Sequence, residues 1–477
     1  MSAGAAPFFG GGKVCSVEGM FPRHSLRNCS YLFVSIHFKI MNRNLSIQWL
    51  LCGVATLWVL PGCVAGEPHQ TIKSAPKTTA PIRIEVGSGP LTMDRAVRLA
   101  LAHNPGLWAS DARREAAAGR AVQSREWQNP ELEVSAEDIP AGSPRLSQSK
   151  NMVGISQTVL YPGKRRLDRE IGAADALSGE AGWRLHQAAL AREVKIGFYR
   201  VLAAEQSAQV SVDLVALAES SAAAAKKRAD AGDTALQEQL RAEIQQEQAT
   251  TELAEAQRQV TEARQAFALL LGVPAMRTAV LAGAPDAADG ASDLASIPAS
   301  WLAAHPAMVT AQAKCRMAQA TARRAEVNHL PDPKVGIAGG RNEAADENLL
   351  EFRLTLPLPL FDRSKGRIQE SRAGVAEAEA ELAAIQQQLL AEWHSAVTRF
   401  KVAAAQVTAH RERMLPKSEE ALRLVRTGFE EGKFGFIDLL DTQRMTAEVR
   451  LAYQKKLFEL NTARAELESF VSPVPSP

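Results

Sequence analysis

Two long helical patterns meet at Phe429-Glu-Glu-Gly-Lys-Phe-Gly-Phe-Ile-Asp-Leu-Leu-Asp-Thr-Gln-Arg444. Gly432 and Gly435 supply the break, because glycine adopts the backbone conformations that end helices. Asp438 and Asp441 follow three residues apart at the start of the next helix, so they share one face of its first turn. There they complement the positive end of the helix. Taken alone, the stretch predicts the tip of a helical hairpin with acids at a helix start.

The same plan occurs about 200 residues earlier in the chain. Gly232 precedes Gly432 by 200 residues, Asn104-Pro105 recurs as His305-Pro306, and Asn129-Pro130 recurs as Asp332-Pro333. Because the offset stays between 200 and 203, the chain predicts two tandem structural repeats. Each repeat then has its own tip, formed by Gly232, Asp233 and Thr234 in the first and by Gly432, Lys433, Phe434 and Gly435 in the second.

Long helices are predicted on both sides of each tip. Their ranges are 164–229 and 235–271 in the first repeat, and 366–430 and 436–470 in the second. At 1.5 Å per residue the first is roughly 100 Å long, far beyond a globular helix. Steps of three and four residues between Leu253, Ala256, Val260, Ala263, Phe267 and Leu270 indicate a coiled-coil seam.

Between the short and long helices of each repeat, the pattern changes to alternation. In Glu131-Leu-Glu-Val-Ser-Ala-Glu137 the apolar and polar side chains point to opposite faces, which predicts a β-hairpin at about 131–160 and its copy at about 334–360. Alternating strands of about ten residues are long enough to cross a bilayer. In lipid only a closed barrel satisfies every backbone group. Four strands cannot close one alone, so several subunits are expected to share a barrel.

The N-terminal residues read as a leader. Residues 45–60 form an apolar run of about 16, which suits an export signal better than a membrane span. Its positive flank begins at Met41, which favours Met41 as the true start of the protein. Residues 1–40 would then be an over-extended reading frame or a disordered leader; the alternative is that they are genuine. Leu60-Pro-Gly-Cys63 is similar to a lipobox with Cys63 as lipidated residue, and cleavage after Val64-Ala65-Gly66 is the rival interpretation.

Composition limits the classes of function. A net charge of +2 in 477 residues argues against a nucleic-acid partner. The predicted organisation is 1–63 leader and signal peptide, 64–90 extended tether, 91–272 first repeat, 273–298 linker, 299–470 second repeat and 471–477 tail.

In this order and duplicated, these features resemble the TolC-type outer membrane factors, and most closely their CzcC-like heavy-metal efflux branch. The stretches that carry the resemblance are Leu91-Thr-Met-Asp-Arg-Ala-Val-Arg-Leu-Ala-Leu-Ala-His-Asn-Pro105, Trp127-Gln-Asn-Pro-Glu-Leu-Glu133 and Leu356-Pro-Leu-Pro-Leu-Phe-Asp-Arg363 followed by Gly366-Arg367. It covers roughly residues 90–470.

The resemblance implies a mainly α fold with a membrane β-barrel: a homotrimer with a twelve-stranded barrel in outer membrane lipid and an α-helical barrel in the periplasm. It implies docking through the tips onto a periplasmic adaptor (membrane fusion protein) and an inner-membrane RND pump. It further implies that Asp438 and Asp441 constrict the periplasmic aperture. Glu238, which precedes Asp438 by 200 residues, is a further candidate for this aperture. Phe429 and Phe434 stand where a well-known member carries polar latch residues, so hydrogen-bonded closure is not implied here.

The sequence contains no His-Glu-x-x-His, Walker loop, nucleophile elbow or Cys/His metal cluster. The resemblance implies a passive exit duct that performs no catalysis and needs no cofactor. Two other classes stay open from the residues. A periplasmic adaptor would show one hairpin flanked by small β domains, and a structural coiled-coil envelope protein would lack the alternating strands.

Overall fold

The computed structural model describes residues 34–36, 89–139, 149–232, 235–283 and 299–471. The helices in these ranges are α1 (Met93–His103), α2 (Pro105–Gln123), α3 (Lys164–Asp230), α4 (Leu236–Leu270), α5 (Ala299–Ala304), α6 (Pro306–Glu326), α7 (Lys365–Ala409), α8 (Leu415–Glu430) and α9 (Phe436–Val471). The strands are β1 (Val34–Ile36), β2 (Glu131–Glu137), β3 (Lys150–Thr158), β4 (Lys334–Asn342) and β5 (Glu347–Thr355). The predicted combination of duplicated hairpins and long helices is confirmed.

The strands form a compact unit of their own. They make one antiparallel sheet in the order β1-β5-β4-β3-β2, so the two predicted hairpins lie side by side and join through β3 and β4. The central register runs from the pair Thr158 and Lys334 to the pair Lys150 and Asn342. The two repeats therefore build one continuous sheet.

The two faces of this sheet differ in chemistry, as period-two alternation requires. On one face apolar side chains are largely exposed, among them Leu132 at 75% and Val134 at 72%. On the other face Glu133 forms ion pairs with both Lys334 and Arg353. An exposed apolar face opposite a charged face is the pattern of a strand layer with lipid on one side and water on the other.

The helices form the second unit. The 67-residue helix α3 packs along α2, α4, α6 and α9. A large apolar core surrounds it, in which α1 contributes Val97 and Ala100 and α3 contributes Val194, Phe198 and Val201. Among the described residues, α3 is the one helix that is long and apolar enough to cross a membrane by length and composition. It contains an 18-residue window with a mean hydropathy of 1.2, of which 28% is buried.

The long helix of the second repeat contains an irregularity that the sequence pattern did not predict. The range 366–430 was expected as one helix, whereas α7 passes through a π-helical turn at His410–Met414 before α8 begins. The cause is Pro416, which has no N–H and whose ring clashes with the carbonyl four residues earlier. The backbone hydrogen bonds of the helix therefore change locally to the wider π-helical pattern.

Most of the predicted leader, tether and linker lies outside the residues that the structure describes. Of the predicted leader, 1–63, the described residues are those of β1, which pairs with β5 through Val34 and Leu354. The signal run, Cys63 and the tether up to residue 88 lie outside the described residues, as does most of the linker, 284–298.

Candidate functional site

The second tip is closed by the hydrogen bonds of a Schellman motif. Helix α8 ends at Glu430, and Gly432 follows with a φ of +75°. The Gly432 N–H donates to the Phe429 carbonyl at 3.1 Å, and the Lys433 N–H donates to the Gly428 carbonyl at 2.7 Å. Glycine tolerates this left-handed backbone, so the sequence break predicted at Gly432 is a defined helix stop.

The two phenylalanines of this tip have different surroundings. Phe429 is buried and its ring lies 6.0 Å from that of Phe436. Phe434 is 44% exposed, and its ring covers Gly428 so closely that a Cβ at position 428 would overlap it. The tip is thus held by aromatic packing.

Asp438 and Asp441 lie in the first turns of α9, and both are exposed. Asp438 Oδ2 accepts a hydrogen bond of 3.0 Å from the Gly435 N–H, so this carboxylate caps its own helix. In the first repeat, Glu238 occupies the first turn of α4 and is half-buried. All three acids therefore stand near helix starts, which is where the sequence pattern places Asp438 and Asp441.

The first tip follows the same stop. Gly232 has a φ of +78°, and its N–H donates to the Ala229 carbonyl at 3.0 Å. Asp233 and Thr234 lie outside the described residues.

The two tips are joined by an apolar cluster. Its buried members are Ala222, Ala225, Ala242, Phe429, Phe436 and Leu439, drawn from both repeats. The Arg228 guanidinium lies over the Phe429 ring at 4.9 Å, adding a cation–π contact. The tips of one chain consequently form a single packed end.

Buried polar residues also hold this end together, and the sequence analysis missed them. Gln443 Nε2 donates to Ser221 Oγ at 2.9 Å in a buried contact between α9 and α3. Thr446 Oγ1 donates to the Ser418 carbonyl at 3.1 Å between α9 and α8. One feature of the sequence indicates such a contact. Gln443 lies seven residues after Phe436 and therefore on the apolar stripe of α9, where a polar side chain is buried and needs a hydrogen-bond partner.

A charged cluster binds α3 to α9 away from the tips. Lys195 Nζ lies 2.7 Å from Glu468 Oε2, and Arg464 Nε donates to Glu468 Oε1 at 3.0 Å. Burial raises the pKa of Glu468, but the hydrogen bonds and attraction of Lys195 and Arg464 outweigh it, so the pKa lies below its ordinary value. Within the described residues, no group of three or more His, Cys, Asp or Glu side chains is placed to hold a metal ion.

Comparison with known proteins agrees with this architecture. The family profile described as "Outer membrane efflux protein" matches residues 96–273 and 297–471. The cobalt-zinc-cadmium resistance protein CzcC of Cupriavidus metallidurans is 28% identical over 385 residues, covering 78% of this chain and 88% of CzcC.

Solved structures share the fold at lower identity. A membrane protein from Pseudomonas aeruginosa superimposes with a TM-score of 0.70 at 21% identity, covering 80% of this chain and 93% of its own. The outer membrane protein VceC from Vibrio cholerae gives a TM-score of 0.68 at 17% identity, covering 80% and 96%. The family profile, which spans both repeats, confirms the resemblance drawn from the sequence. The chain belongs to the outer membrane efflux protein family, as a transport component of the Gram-negative outer membrane that extends into the periplasm.

Proposed function

We propose that this chain is the exit duct of a heavy-metal efflux assembly, in which three copies close a twelve-stranded barrel and conduct cations passively. The observation that carries the proposal is the four-stranded sheet β2–β5, with its exposed apolar face and its charged opposite face. Phe352 at 62% and Leu350 at 56% exposure extend the apolar face into β5. Such a face is stable in lipid and unfavourable in water.

The edges of the sheet support shared closure. In the part of the chain that the structure describes, β2 ends the sheet on one side, and β5 pairs on the other side with the three residues of β1. A leader cleaved beyond residue 36 would remove β1 and free the β5 edge for β2 of the next copy. Three such joins leave no edge in the membrane, which satisfies the backbone.

The charged face would line the barrel. Glu133 Oε2 lies 2.7 Å from Arg353 Nη1, Lys334 Nζ lies 3.0 Å from Glu133 Oε1, and Arg353 Nη2 lies 3.1 Å from Glu351 Oε1. Acids exceed bases on this face, with Glu131, Glu133, Glu137, Glu347 and Glu351 against Lys150, Lys334 and Arg353. A surplus of carboxylates favours the passage of cations.

The class of cargo rests on relatives. CzcC is named a cobalt-zinc-cadmium resistance protein, and a further relative of 29% identity is named a nickel-cobalt-cadmium resistance protein. The assembly would include a periplasmic adaptor and an inner-membrane pump, which supplies the energy and selects the metal. The duct needs no cofactor and performs no catalysis.

The tips would form the periplasmic aperture and the adaptor contact. Each chain presents one packed end with Asp438 and Asp441 exposed beside Gly432. Three copies bring these acids and Glu238 around one mouth, where carboxylates attract multivalent cations. Gly232, Asp233, Thr234, Gly432, Lys433, Phe434 and Gly435 are the proposed adaptor-contact residues.

A fractionation and resistance experiment tests this function. Cells that express the chain should yield heat-modifiable trimers in the outer membrane fraction, and deletion should sensitise the native host to cobalt, zinc or cadmium. Recovery of the chain as a soluble periplasmic monomer would contradict the duct. Sensitivity to organic compounds without sensitivity to metals would contradict the proposed cargo.

A further inference from the structure

The charged face of the sheet contains bases that each lie between two acids. Lys334 Nζ is 2.9 Å from Glu131 Oε2 and 3.0 Å from Glu133 Oε1. Arg353 lies in the same way between two acids, with its Nη1 2.7 Å from Glu133 Oε2 and its Nη2 3.1 Å from Glu351 Oε1. The two bases therefore share Glu133.

Lys150 extends this pattern along the same face. Its Nζ is 3.4 Å from Glu351 Oε2 and 3.6 Å from Glu137 Oε2. Lys150 and Glu351 are the least exposed side chains of the set, at 13% and 10%, so water screens their attraction least. One ion-pair chain of alternating sign thus joins all four strands β2–β5. Its members, in order, are Glu131, Lys334, Glu133, Arg353, Glu351, Lys150 and Glu137.

Small residues on the two central strands let the long side chains of the outer strands meet. Glu133 lies on β2 and Arg353 on β5, so their ion pair passes over both β3 and β4. The residues of this face that lie between them are Gly154, Ser156, Gly336 and Ala338. Both oxygens of Glu133 are engaged, because Oε1 also accepts a hydrogen bond of 2.8 Å from Ser156 Oγ.

Pairs of carboxylates without such a base would retain the ions that a metal-conducting duct has to release. Carboxylate oxygens are ligands of Zn²⁺, and two of them on one wall can hold an ion together. Conduction requires a wall that attracts an ion strongly enough for entry and weakly enough for exit. An ammonium or guanidinium group between two carboxylates fills the position that a metal ion would take, and it repels other cations at close range.

We propose that Lys334, Arg353 and Lys150 act as tethered counter-cations that keep metal cargo from binding to the barrel wall. The proposal rests on the barrel and the metal cargo of the proposed function, and it gives these bases a role in releasing the cargo. Each base blocks one pair of carboxylates. The ion-pair chain as a whole has one more acid than it has bases, so it still attracts cations at longer range.

Metal binding by purified full-length trimers tests the proposal at Lys334. Lys334→Gln removes the positive charge and leaves Glu131 and Glu133 without the base between them. After dialysis against zinc chloride, elemental analysis should find about one more zinc ion per copy in Lys334→Gln than in the original trimer. In single-channel recordings, zinc should block Lys334→Gln at a concentration about tenfold lower, because a unit positive charge no longer stands at contact distance. The acids at the tips are the same in both proteins and contribute equally to both measurements.

Three controls separate this effect from a general change of charge. Lys334→Arg keeps a positive charge between the two acids and should bind no additional zinc. Lys334→Gln combined with Glu131→Gln removes one of the two carboxylates and should return zinc binding to the original amount. Arg372→Gln removes a positive charge from α7, where Arg372 Nη2 lies 2.8 Å from Glu326 Oε1, and should leave zinc binding unchanged.

The outcomes separate this inference from the function on which it rests. Additional zinc in Lys334→Gln, but not in Arg372→Gln, supports the tethered counter-cation. Heat-modifiable trimers of Lys334→Gln without additional zinc, or an equal gain in Arg372→Gln, overturn the inference and leave the duct standing. If Lys334→Gln forms no trimer, Arg353→Gln, which leaves Glu133 and Glu351 without the base between them, decides by the same measurements. Absence of outer membrane trimers of the unmodified chain overturns the proposed function.

Discussion

Asp438 Oδ2 accepts a hydrogen bond of 3.0 Å from the Gly435 N–H, and this contact gives Asp438 a structural role at the proposed aperture. Asp441 lies three residues further along α9 and is exposed. The two acids, which the sequence pattern treats alike, are therefore expected to respond differently to substitution.

Asp441→Asn should lower the block of single-channel current by multivalent cations without changing thermal stability, because it removes charge from the mouth and no cap from the helix. Single-channel recording at several cation concentrations measures the block. Unchanged block in a correctly assembled trimer would contradict the aperture assignment.

Asp438 requires a pair of variants. Asp438→Asn removes the charge but keeps an oxygen that accepts from Gly435, so it should lower the cation block with little loss of stability. Asp438→Ala should lower the block equally and also destabilise the tip by about 1 kcal/mol. Equal thermal midpoints for the two variants would show that the cap contributes nothing.

The sheet offers neighbouring positions on opposite faces. Val134→Arg should prevent assembly in the membrane, because arginine on a lipid-facing strand costs about 2–4 kcal/mol at the bilayer midplane. Ser135→Arg, on the charged face, should assemble. The yield of heat-modifiable trimer in the outer membrane fraction measures both, and equal yields would contradict the assignment of the faces.

Gly428 offers a test of the aromatic closure of the tip. Gly428→Ala should destabilise the tip, because the new Cβ overlaps the Phe434 ring. This overlap opposes the intrinsic preference of a helix for alanine over glycine, which is about 1 kcal/mol. Adding Phe434→Ala should recover stability relative to Gly428→Ala alone. Gly374→Ala in α7 is the control, since nothing lies within 4 Å of its added Cβ. Equal effects at 428 and 374 would contradict the packing of Phe434.

The parts of the fold that depend on local sequence could be predicted. Alternation in Glu131–Glu137 sets the strand and its faces, and Gly232 and Gly432 set the helix stops, because these effects act within a few residues. The contact of Gln443 with Ser221 could not be predicted, because it joins residues 222 positions apart and depends on the register between two long helices. The π-turn before Pro416 was missed because the helical period continues through it.

His305 is placed to make stability depend on pH. Its Nδ1 accepts a hydrogen bond of 3.2 Å from the Ala307 N–H at the start of α6, which requires the neutral ring. The ring packs on Trp301 and Phe470. Burial lowers the pKa of His305 below its ordinary 6.5, and attraction to Glu392 offsets this only in part. In the unfolded chain the residue binds a proton more readily than in the folded one.

The contribution of His305 to the free energy of unfolding is therefore complete above the ordinary pKa of histidine. It is lost progressively as the pH falls from that value through the lower pKa of His305 in the folded chain. His305→Asn should flatten this dependence while it keeps the cap, because the counterpart Asn104 caps α2 by accepting from the Gly106 N–H at 2.8 Å. Thermal midpoints of the trimer between about pH 7.5 and about pH 5 measure the slope. His394→Asn, at an exposed position of α7, should leave it unchanged. If the slope persisted in His305→Asn, protonation elsewhere would be its cause.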